Sequence, residues 1–265
     1  MKLVRFAENG TARYGVLDGD IVRPTDATTL QDALAITGLD ALPVPLKTLD
    51  LLAPVERPRK ILGIGVNYAA HAAEMGVEVD REAPFYFTKN PQHTLHTGST
   101  LPYPPGTENF HYEMELALTI GKPVFRASRE EAAAAIHSYG CALDMTRRDL
   151  QLVAREKQRP WDLGKDVEGT AVFAELTPAA EMGELGPQRI HLEVNGEVRQ
   201  DATLADLIHS CVEVVMDLSK FYHLAPGDVI MTGTPAGVGP VVAGDRITGG
   251  IEGLAPIALT IGQAE

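Results

Sequence analysis

The stretch HYEMELAL at residues 111–118 reads as a β-strand and decides how we interpret the fold. Side chains along a strand point alternately to opposite faces, so Glu113 and Glu115 share one face, while Met114 and its apolar neighbours share the other. At about 3.3 Å per residue, the two glutamate Cβ atoms lie roughly 7 Å apart. Two interpretations are open at this point: a solvated strand face, or two carboxylates that hold a hard cation.

A third carboxylate follows another apolar run. Asp144 ends the run 139–143 and precedes a helix that we expect to be capped by Thr146, with Asp149 three residues on, and to reach about Arg155. This location brings a polar side chain to the rim of a sheet, although an aspartate before a helix is commonly a turn residue. Ligands made only of oxygen favour Mg²⁺ or Mn²⁺, or Ca²⁺ in their place, over zinc.

The first 57 residues predict a small β domain. Asn9-Gly10 and Asp18-Gly19 suit two-residue hairpin turns and indicate a three-stranded meander over residues 1–23. Two prolines within residues 53–58 disfavour both helix and central strand, so this stretch reads as a linker. We therefore expect a small N-terminal domain, residues 1–57, and a catalytic domain, residues 58–265.

The larger part of the chain predicts more strands than helices. Apolar runs indicate strands at 61–66, 85–88, 112–120, 139–143, 190–194, 229–232 and 257–261. Capping patterns and helical spacing indicate helices at 29–37, 128–137, 146–155 and 204–222. Because the strands do not alternate regularly with helices, the pattern favours a strand-dominated α+β fold, a β-sandwich or roll with peripheral helices.

Charge and composition narrow the class of function. The net charge of −13 repels nucleic acid, so we expect no DNA or RNA partner. No signal peptide or membrane-spanning stretch is recognisable, which predicts a cytoplasmic protein without a membrane partner. Cys141 and Cys211 lie among apolar residues and read as buried thiols of a reducing compartment. An anionic substrate would have to be attracted locally, by a cation or by a few basic side chains.

Two other segments combine polar groups that suit catalysis. His71 and Glu74 are three residues apart, so on a helix the carboxylate can orient the imidazole as a general base for water; an ordinary surface pair is the alternative. The glycine-rich stretch 232–240 lacks the lysine of a phosphate loop, so it is either a tight turn or a cradle in which amides and Thr234 hold a carboxylate.

Basic residues follow Asp144 closely. Arg148, Gln151 and Arg155 fall on one face of the predicted helix. Such a face is commonly only solvated. Here it also offers the local positive charge that the acidic chain otherwise lacks.

Four motifs together resemble the fumarylacetoacetate hydrolase family: GVNYAAHAAEM at 65–75, HYEMEL at 111–116, LDMTRRDLQ at 143–151 and GTPAGVG at 233–239. Their order and spacing match the family over about residues 58–262. The branch of fumarylpyruvate hydrolases and acylpyruvases is the most similar, through FYFTKNP at 85–91, Pro160-Trp161 ahead of Lys165, and the tail from Gly239-Pro240 to Gly253-Leu254.

The resemblance implies a fold and a set of site residues. The fold is β-rich with a small N-terminal β domain, in a homodimer that serves aromatic catabolism. Glu113, Glu115 and Asp144 would hold Mg²⁺ or Mn²⁺. His71 and Glu74 would activate water on a segment that orders over the substrate. The residues that would line the pocket are Lys165, Arg148, Gln151 and Thr234, and we add Lys89 as a substrate contact.

The implied activity is metal-dependent hydrolysis of the carbon–carbon bond of a 2,4-dioxo acid, fumarylpyruvate or another acylpyruvate, to pyruvate and a carboxylic acid. His71 would take a proton from water, and Lys165 would add positive charge near the developing enolate. Three rivals stay open: an oxaloacetate decarboxylase or tautomerase, an isomerase or decarboxylase of hydroxymuconate-type dioates, and a non-catalytic ligand-binding relative. The presence of both His71 and Glu74 favours hydrolysis.

One position departs from the family pattern. Relatives usually place a small residue and then phenylalanine after the lysine, whereas Lys165 is followed by Asp166, Val167 and Glu168. The extra carboxylate of Asp166 either lowers the positive charge of the pocket or points away from it. The departure bears on the identity of the substrate more than on the type of reaction.

Overall fold

The N-terminal segment forms an antiparallel sheet in this computed structural model, which describes residues 2–38, 41–53, 60–76, 81 and 83–264. The elements are β1 Lys2–Glu8, β2 Thr11–Asp18, β3 Ile21–Pro24, α1 Leu30–Leu34, β4 Val44–Pro45, a 3-10 turn Leu46–Thr48 and β5 Asp50–Leu52, with strand order β4-β3-β2-β1-β5. The predicted meander is confirmed, and β4 and β5 extend it. Residues 54–58 of the predicted linker lie outside the described residues.

The rest of the chain consists mainly of strands. The strands are β6 Ile61–Gly65, β7 Phe85–Lys89, β8 Leu95–His96, β9 Thr100–Tyr103, β10 Phe110–Tyr112, β11 Met114–Ile120, β12 Ile136–Asp144, β13 Thr146–Arg147, β14 Ala171–Phe173, β15 Thr177–Pro178, β16 Arg189–Val194, β17 Glu197–Thr203, β18 Val229–Met231, β19 Gly239–Val241, β20 Arg246–Ile251 and β21 Ile257–Ala264. The helices are α2 Ala69–Glu74, α3 Arg129–Ala135, α4 Arg148–Glu156, α5 Asp162–Lys165, α6 Ala179–Met182 and α7 Cys211–Leu218, with a 3-10 turn Leu204–Asp206. The strand-dominated α+β prediction is confirmed.

The described residues of this part of the molecule form three sheets, the smallest of which is β13-β10-β19. The large sheet has the order β7-β6-β18-β11-β12-β14-β8, with β15 beside β12. A five-stranded sheet, β17-β16-β20-β21-β9, packs against one face of it through a core that contains Leu116 and Leu192. Ala117 points to the opposite face, where it shares a second core with Leu3 and Tyr14 of the N-terminal sheet. All seven residues of β11 are buried because both faces of this strand are covered.

Two of the predicted helices begin later in the chain than expected. The single helix expected over 204–222 is wrong: a 3-10 turn comes first, and α7 begins only after Ser210, whose side chain accepts from the Glu213 amide in a capping box. Thr146 does not cap the next helix, because it lies in β13 and its hydroxyl donates to the Asp144 carbonyl at 3.1 Å. Helix α4 begins at Arg148 instead.

Both cysteines are buried, free thiols, as predicted. Burial raises the pKa of Cys141 and that of Cys211 to about 12, so both stay protonated at neutral pH. Among the described residues, no helix has the length and apolarity that crossing a membrane requires.

Asn67 ties the exit of β6 to two distant segments. Its side chain is fully buried; Nδ2 donates to the carbonyls of His209 at 2.9 Å and Thr232 at 2.8 Å, and Oδ1 accepts from the His209 amide at 2.7 Å. These bonds satisfy one buried backbone group, the Thr232 carbonyl, and two partly buried ones of His209. They also fix the start of α2, which begins two residues later.

Asn67→Ala should lower the free energy of unfolding by about 2 to 4 kcal/mol, because it leaves these buried and partly buried backbone groups without partners. Urea unfolding followed by circular dichroism measures the change. Asn90→Ala is the matched control, since Asn90 accepts one exposed hydrogen bond from Gln92; it should cost less than about 1 kcal/mol. Equal losses in the two variants would contradict the bridging role of Asn67.

Candidate active site

Glu113 lies at a break between two strands. The predicted strand 112–120 is in fact two strands: β10 pairs with β13 and β19 in a small separate sheet, whereas β11 belongs to the large sheet. Glu113 is the residue between them, and Glu115 follows on the same side of β11. The side chains of Glu113 and Glu115 therefore both point to the same side of the chain, at the place where it passes from one sheet to the other.

Strand pairing brings the third carboxylate to the first two. In the antiparallel pair β11·β12, Met114 lies opposite Leu143, and the Asp144 amide donates to the Glu113 carbonyl at 2.9 Å. Oxygen atoms of Glu113, Glu115 and Asp144 all lie within 4.8 Å of one another. This acidic triad is buried: the three residues are 3%, 1% and 0% exposed. The alternative of a solvated strand face is wrong.

Two of the three carboxylates already have cationic partners. Glu113 contacts the Arg148 guanidinium and the Lys165 amine, the latter at 2.6 Å. Asp144 lies 2.7 Å from the amine of Lys165 and 2.7 Å from that of Lys89. Burial alone would raise the pKa of Glu113, but the nearby Lys165 and Arg148 hold it below its ordinary value. Glu113 is therefore ionised at neutral pH.

Glu115 is held differently. Its Oε2 accepts from the Gly233 amide at 2.7 Å, and no cationic side chain of the described ranges forms an ion pair with it. Burial, together with the charges of Asp144 and Glu113, raises the pKa of Glu115 well above its ordinary value. A divalent cation among the three carboxylates would remove this repulsion. Buried all-oxygen donors are those that Mg²⁺, Mn²⁺ and Ca²⁺ prefer, so the triad fits such an ion.

A cavity of about 270 Å³ opens onto Glu113 and Glu115 of the triad. Its lining combines buried polar side chains with aromatic side chains that are more exposed. The polar side chains at the buried end are those of Glu113, Glu115, Arg148, Gln151, Lys165 and Thr234. At the exposed end Phe85, 47% exposed, packs on Trp161 with ring centroids 4.7 Å apart. A polar buried end and a flat aromatic wall suit a small anion with an apolar or conjugated tail.

His71 and Glu74 form a pair whose histidine lines the same cavity. Both lie on α2, and His71 Nδ1 is 2.8 Å from Glu74 Oε2. His71 is buried and lines the cavity. The other oxygen of Glu74 accepts from the Gly237 amide at 3.1 Å. Glu74 is thus fixed by the glycine-rich loop and in turn orients the imidazole.

The glycine-rich loop holds carboxylates of the protein itself. Gly233 donates to Glu115 and Gly237 donates to Glu74. Gly233 has a φ of +103°, and a Cβ there would lie 2.7 Å from the Cβ of Asn67, so a side chain does not fit. Thr234 lines the cavity, and its hydroxyl accepts from Gln200 Nε2 at 2.8 Å.

Of the predicted substrate contacts, four lie at the cavity and one does not. Arg148, Gln151, Lys165 and Thr234 are on its wall. Gln151 is bonded to Arg148, and the Lys165 amine, besides its two carboxylate contacts, donates to the Thr146 hydroxyl at 2.9 Å. Lys89 is 1% exposed and lies away from this wall, where it donates to the Met145 carbonyl at 2.9 Å and the Thr170 hydroxyl at 2.8 Å as well as contacting Asp144.

Two side chains of the site were missed by sequence reasoning. His209 lines the cavity, but it precedes α7 in a segment where the pattern indicated an uninterrupted helix. His111 lies behind Arg148; burial and the guanidinium lower its pKa to about 4, so the neutral ring can accept from Arg148 Nε at 3.5 Å. For His209 the sequence held a usable signal in the Ser210-to-Glu213 capping box, which shows that His209 precedes the helix. The amides of the glycine-rich stretch were predicted to hold a carboxylate, but the carboxylates that they hold are those of Glu115 and Glu74.

Asp166 points away from the active-site cavity. It lines a separate cavity together with Arg147, Tyr103 and Glu168. Asp166 is the position that departs from the family pattern. Its geometry favours the interpretation in which the carboxylate points away and leaves the charge of the pocket unchanged.

Two family models match different parts of the chain. A family model described as "Fumarylacetoacetate (FAA) hydrolase C-terminal" matches residues 60–262, and one described as "Rv2993c-like, N-terminal" matches residues 1–54. Fumarylpyruvate hydrolase of Ralstonia sp is 55% identical over 194 residues, which are 72% of this chain and 100% of that protein. Oxaloacetate tautomerase YcgM of Escherichia coli (strain K12) is 40% identical over 190 residues, 71% of this chain and 86% of that protein.

A solved structure shares the fold. The crystal structure of fumarylpyruvate hydrolase from Pseudomonas aeruginosa in complex with Mn²⁺ and pyruvate has a TM-score of 0.75 and 42% sequence identity to this chain. The match covers 80% of this chain and 91% of that one. The predicted fold type is thereby confirmed.

Glu115→Gln should abolish measurable Mn²⁺ binding while leaving the protein folded, because the amide has the shape of the carboxylate but no charge for the cation. Isothermal titration with Mn²⁺ and the rise in melting temperature on adding Mn²⁺ measure the effect. Glu168→Gln is the control, since Glu168 is exposed and lines the other cavity. Unchanged Mn²⁺ affinity in Glu115→Gln would contradict a metal site at the triad.

Proposed function

The chain belongs to the fumarylacetoacetate hydrolase family, and on that premise we propose that it hydrolyses the carbon–carbon bond of an acylpyruvate, with fumarylpyruvate as the leading candidate. The products are pyruvate and the carboxylic acid of the acyl group. The observation that carries the proposal is that His71, which Glu74 orients, lines the same cavity as Glu113 and Glu115 of the acidic triad. A base for water and an anchor for a 2-oxo acid thus lie around the same space.

Glu113, Glu115 and Asp144 are the proposed ligands of Mg²⁺ or Mn²⁺, and Ca²⁺ could take the same place. When bound, the cation supplies Lewis-acid stabilisation of negative charge on the substrate oxygens. Lys89 has a different role from the predicted one: its buried amine neutralises and positions Asp144 rather than touching the substrate.

His71 is the proposed base. Because Nδ1 is bonded to Glu74, the carboxylate favours the tautomer with the proton on Nδ1, and Nε2 is left to take a proton from water. The water oxygen adds to the distal carbonyl carbon, and the bond from that carbon to the methylene group of pyruvate breaks. Its electron pair leaves with the pyruvate part as an enolate, which a proton converts to pyruvate. Lys165 and Arg148 contribute positive charge on the side where that enolate develops.

Oxaloacetate tautomerisation is the second candidate. It is favoured by the 40% identity to the Escherichia coli tautomerase. Tautomerisation moves a proton between carbon and oxygen and consumes no water. The oriented His71–Glu74 pair favours hydrolysis, because positioning water is the step that only the hydrolase requires.

A substrate panel with the Mn²⁺-loaded protein tests the proposal. Fumarylpyruvate, acetylpyruvate and oxaloacetate are followed by loss of enol absorbance and by release of pyruvate. We expect pyruvate from fumarylpyruvate in amounts equal to the substrate consumed. Enol loss from oxaloacetate without any pyruvate from the acylpyruvates would instead identify a tautomerase, and pyruvate from oxaloacetate alone a decarboxylase.

In the same assay His71→Ala should reduce fumarylpyruvate hydrolysis by about 10²- to 10⁴-fold, the usual contribution of a positioned base, with Mn²⁺ affinity unchanged. Glu74→Gln should reduce it less, because the imidazole remains. His209→Ala is the matched comparison, since His209 also lines the cavity. Normal turnover in His71→Ala, or a larger loss in His209→Ala, would overturn the assignment of the base.

The homodimer, the cytoplasmic location and the role in aromatic catabolism stay predictions. They follow from the resemblance and from the composition, and they bear on where and with what partners the proposed reaction takes place.

A further inference from the structure

Arg155 differs from the other basic residues of the cavity. At the buried end Arg148 and Lys165 are already paired with the carboxylates of the triad. Arg155 lies at the exposed end, and its guanidinium donates to the Met75 carbonyl at 3.1 Å. Within the described part of the chain it forms no ion pair with a carboxylate. It therefore has donors and a charge to offer a ligand.

The spacing along α4 relates the two ends of the cavity. Arg148, Gln151 and Arg155 lie on one helix face, and all three line the cavity. Arg155 is seven residues beyond Arg148, about 10 Å along the helix axis. A seven-carbon 2,4-dioxo diacid has six carbon–carbon bonds and an extended length of about 7 to 8 Å. With one hydrogen bond of about 3 Å added, such a molecule spans from the buried end to Arg155.

The aromatic wall at the exposed end, the end at which Arg155 also lies, suits a flat chain. Phe85 and Trp161 pack together there. Gly65 makes room for them, because a Cβ at this position would lie 2.6 Å from the Phe85 ring. Aromatic faces of this kind pack well on a planar conjugated acyl group. The cavity thus combines a polar anchor at its buried end with an aromatic wall and a cation at its exposed end.

We propose that Arg155 binds a second carboxylate at the acyl end of the substrate and thereby makes the enzyme selective for dianionic acylpyruvates. The inference rests on the proposed hydrolase function. A guanidinium is suited to this task because its planar fork can donate two parallel hydrogen bonds to a carboxylate. Arg155 is on this account a specificity residue, and it takes no part in bond cleavage.

Two substrates that differ only at this end test the inference. Fumarylpyruvate carries the distal carboxylate, and crotonylpyruvate has a methyl group in its place. Arg155→Gln should lower kcat/KM for fumarylpyruvate by about ten- to hundredfold, mainly through KM, because a charge-assisted hydrogen bond is lost. The value for crotonylpyruvate should change less than about threefold. Arg159→Gln, which removes a neighbouring charge outside this cavity, should leave both substrates unaffected.

A merely structural role has a different signature. If Arg155 acts by holding the Met75 carbonyl at the end of α2, Arg155→Gln would lower kcat for both substrates alike, and this outcome would overturn the inference. Arg155→Lys keeps the charge but loses the fork, so on our account it should restore part of the preference for fumarylpyruvate.

A binding measurement separates this inference from the proposed function. Calorimetry with the Mn²⁺-loaded wild-type protein should show tighter binding of fumarate than of crotonate, and Arg155→Gln should remove the difference. If the wild type turns over neither acylpyruvate, the proposed function fails. Equal binding of fumarate and crotonate to the wild type would overturn the inference about Arg155. Loss of the fumarate preference in Arg155→Gln supports the inference whatever the turnover.

Discussion

The buried carboxylate of Glu115 is the constraint on which the rest of the site depends. A charge in the protein interior is costly unless it is paired, and the described residues give this one only the amide of Gly233. Two further carboxylates within 4.8 Å add electrostatic repulsion to the cost of burying this charge. A divalent cation resolves the conflict. The break between β10 and β11, the pairing of β11 with β12 and the glycine at position 233 all serve to keep these oxygens together.

The charges around the triad explain how such a site attracts an anion in a protein with a net charge of −13. The three negative charges of the triad are balanced by three positive charges, those of Lys89, Lys165 and Arg148. A bound divalent cation therefore leaves a local surplus of about two positive charges in a buried space, where fields are screened little. In the proposed function, binding and reaction are divided between different groups: the triad would anchor the 2-oxo acid end, and the His71–Glu74 pair would act on water.

Much of this site could be predicted from the sequence, for identifiable reasons. Strand alternation predicts that Glu113 and Glu115 share one face. Apolar runs that alternate irregularly with helices predict the strand-dominated fold. The meeting of Asp144 with Glu113 depends on the β11·β12 register, which no local pattern encodes. Lys89 was misplaced because its motif indicates that a lysine is near the site but not which way its amine points. The glycine-rich stretch indicated amides that hold a carboxylate, but which carboxylates reach Gly233 and Gly237 depends on long-range packing.

The central claim is that the acidic triad binds a divalent cation within the cavity that His71 lines. Anomalous diffraction at the manganese edge, from crystals grown with Mn²⁺ and pyruvate, tests it most directly. The account predicts one strong anomalous peak among the carboxylates of Glu113, Glu115 and Asp144, with pyruvate density beside it in the same cavity. A manganese peak elsewhere on the chain, or none at the triad at saturating Mn²⁺, would contradict the account.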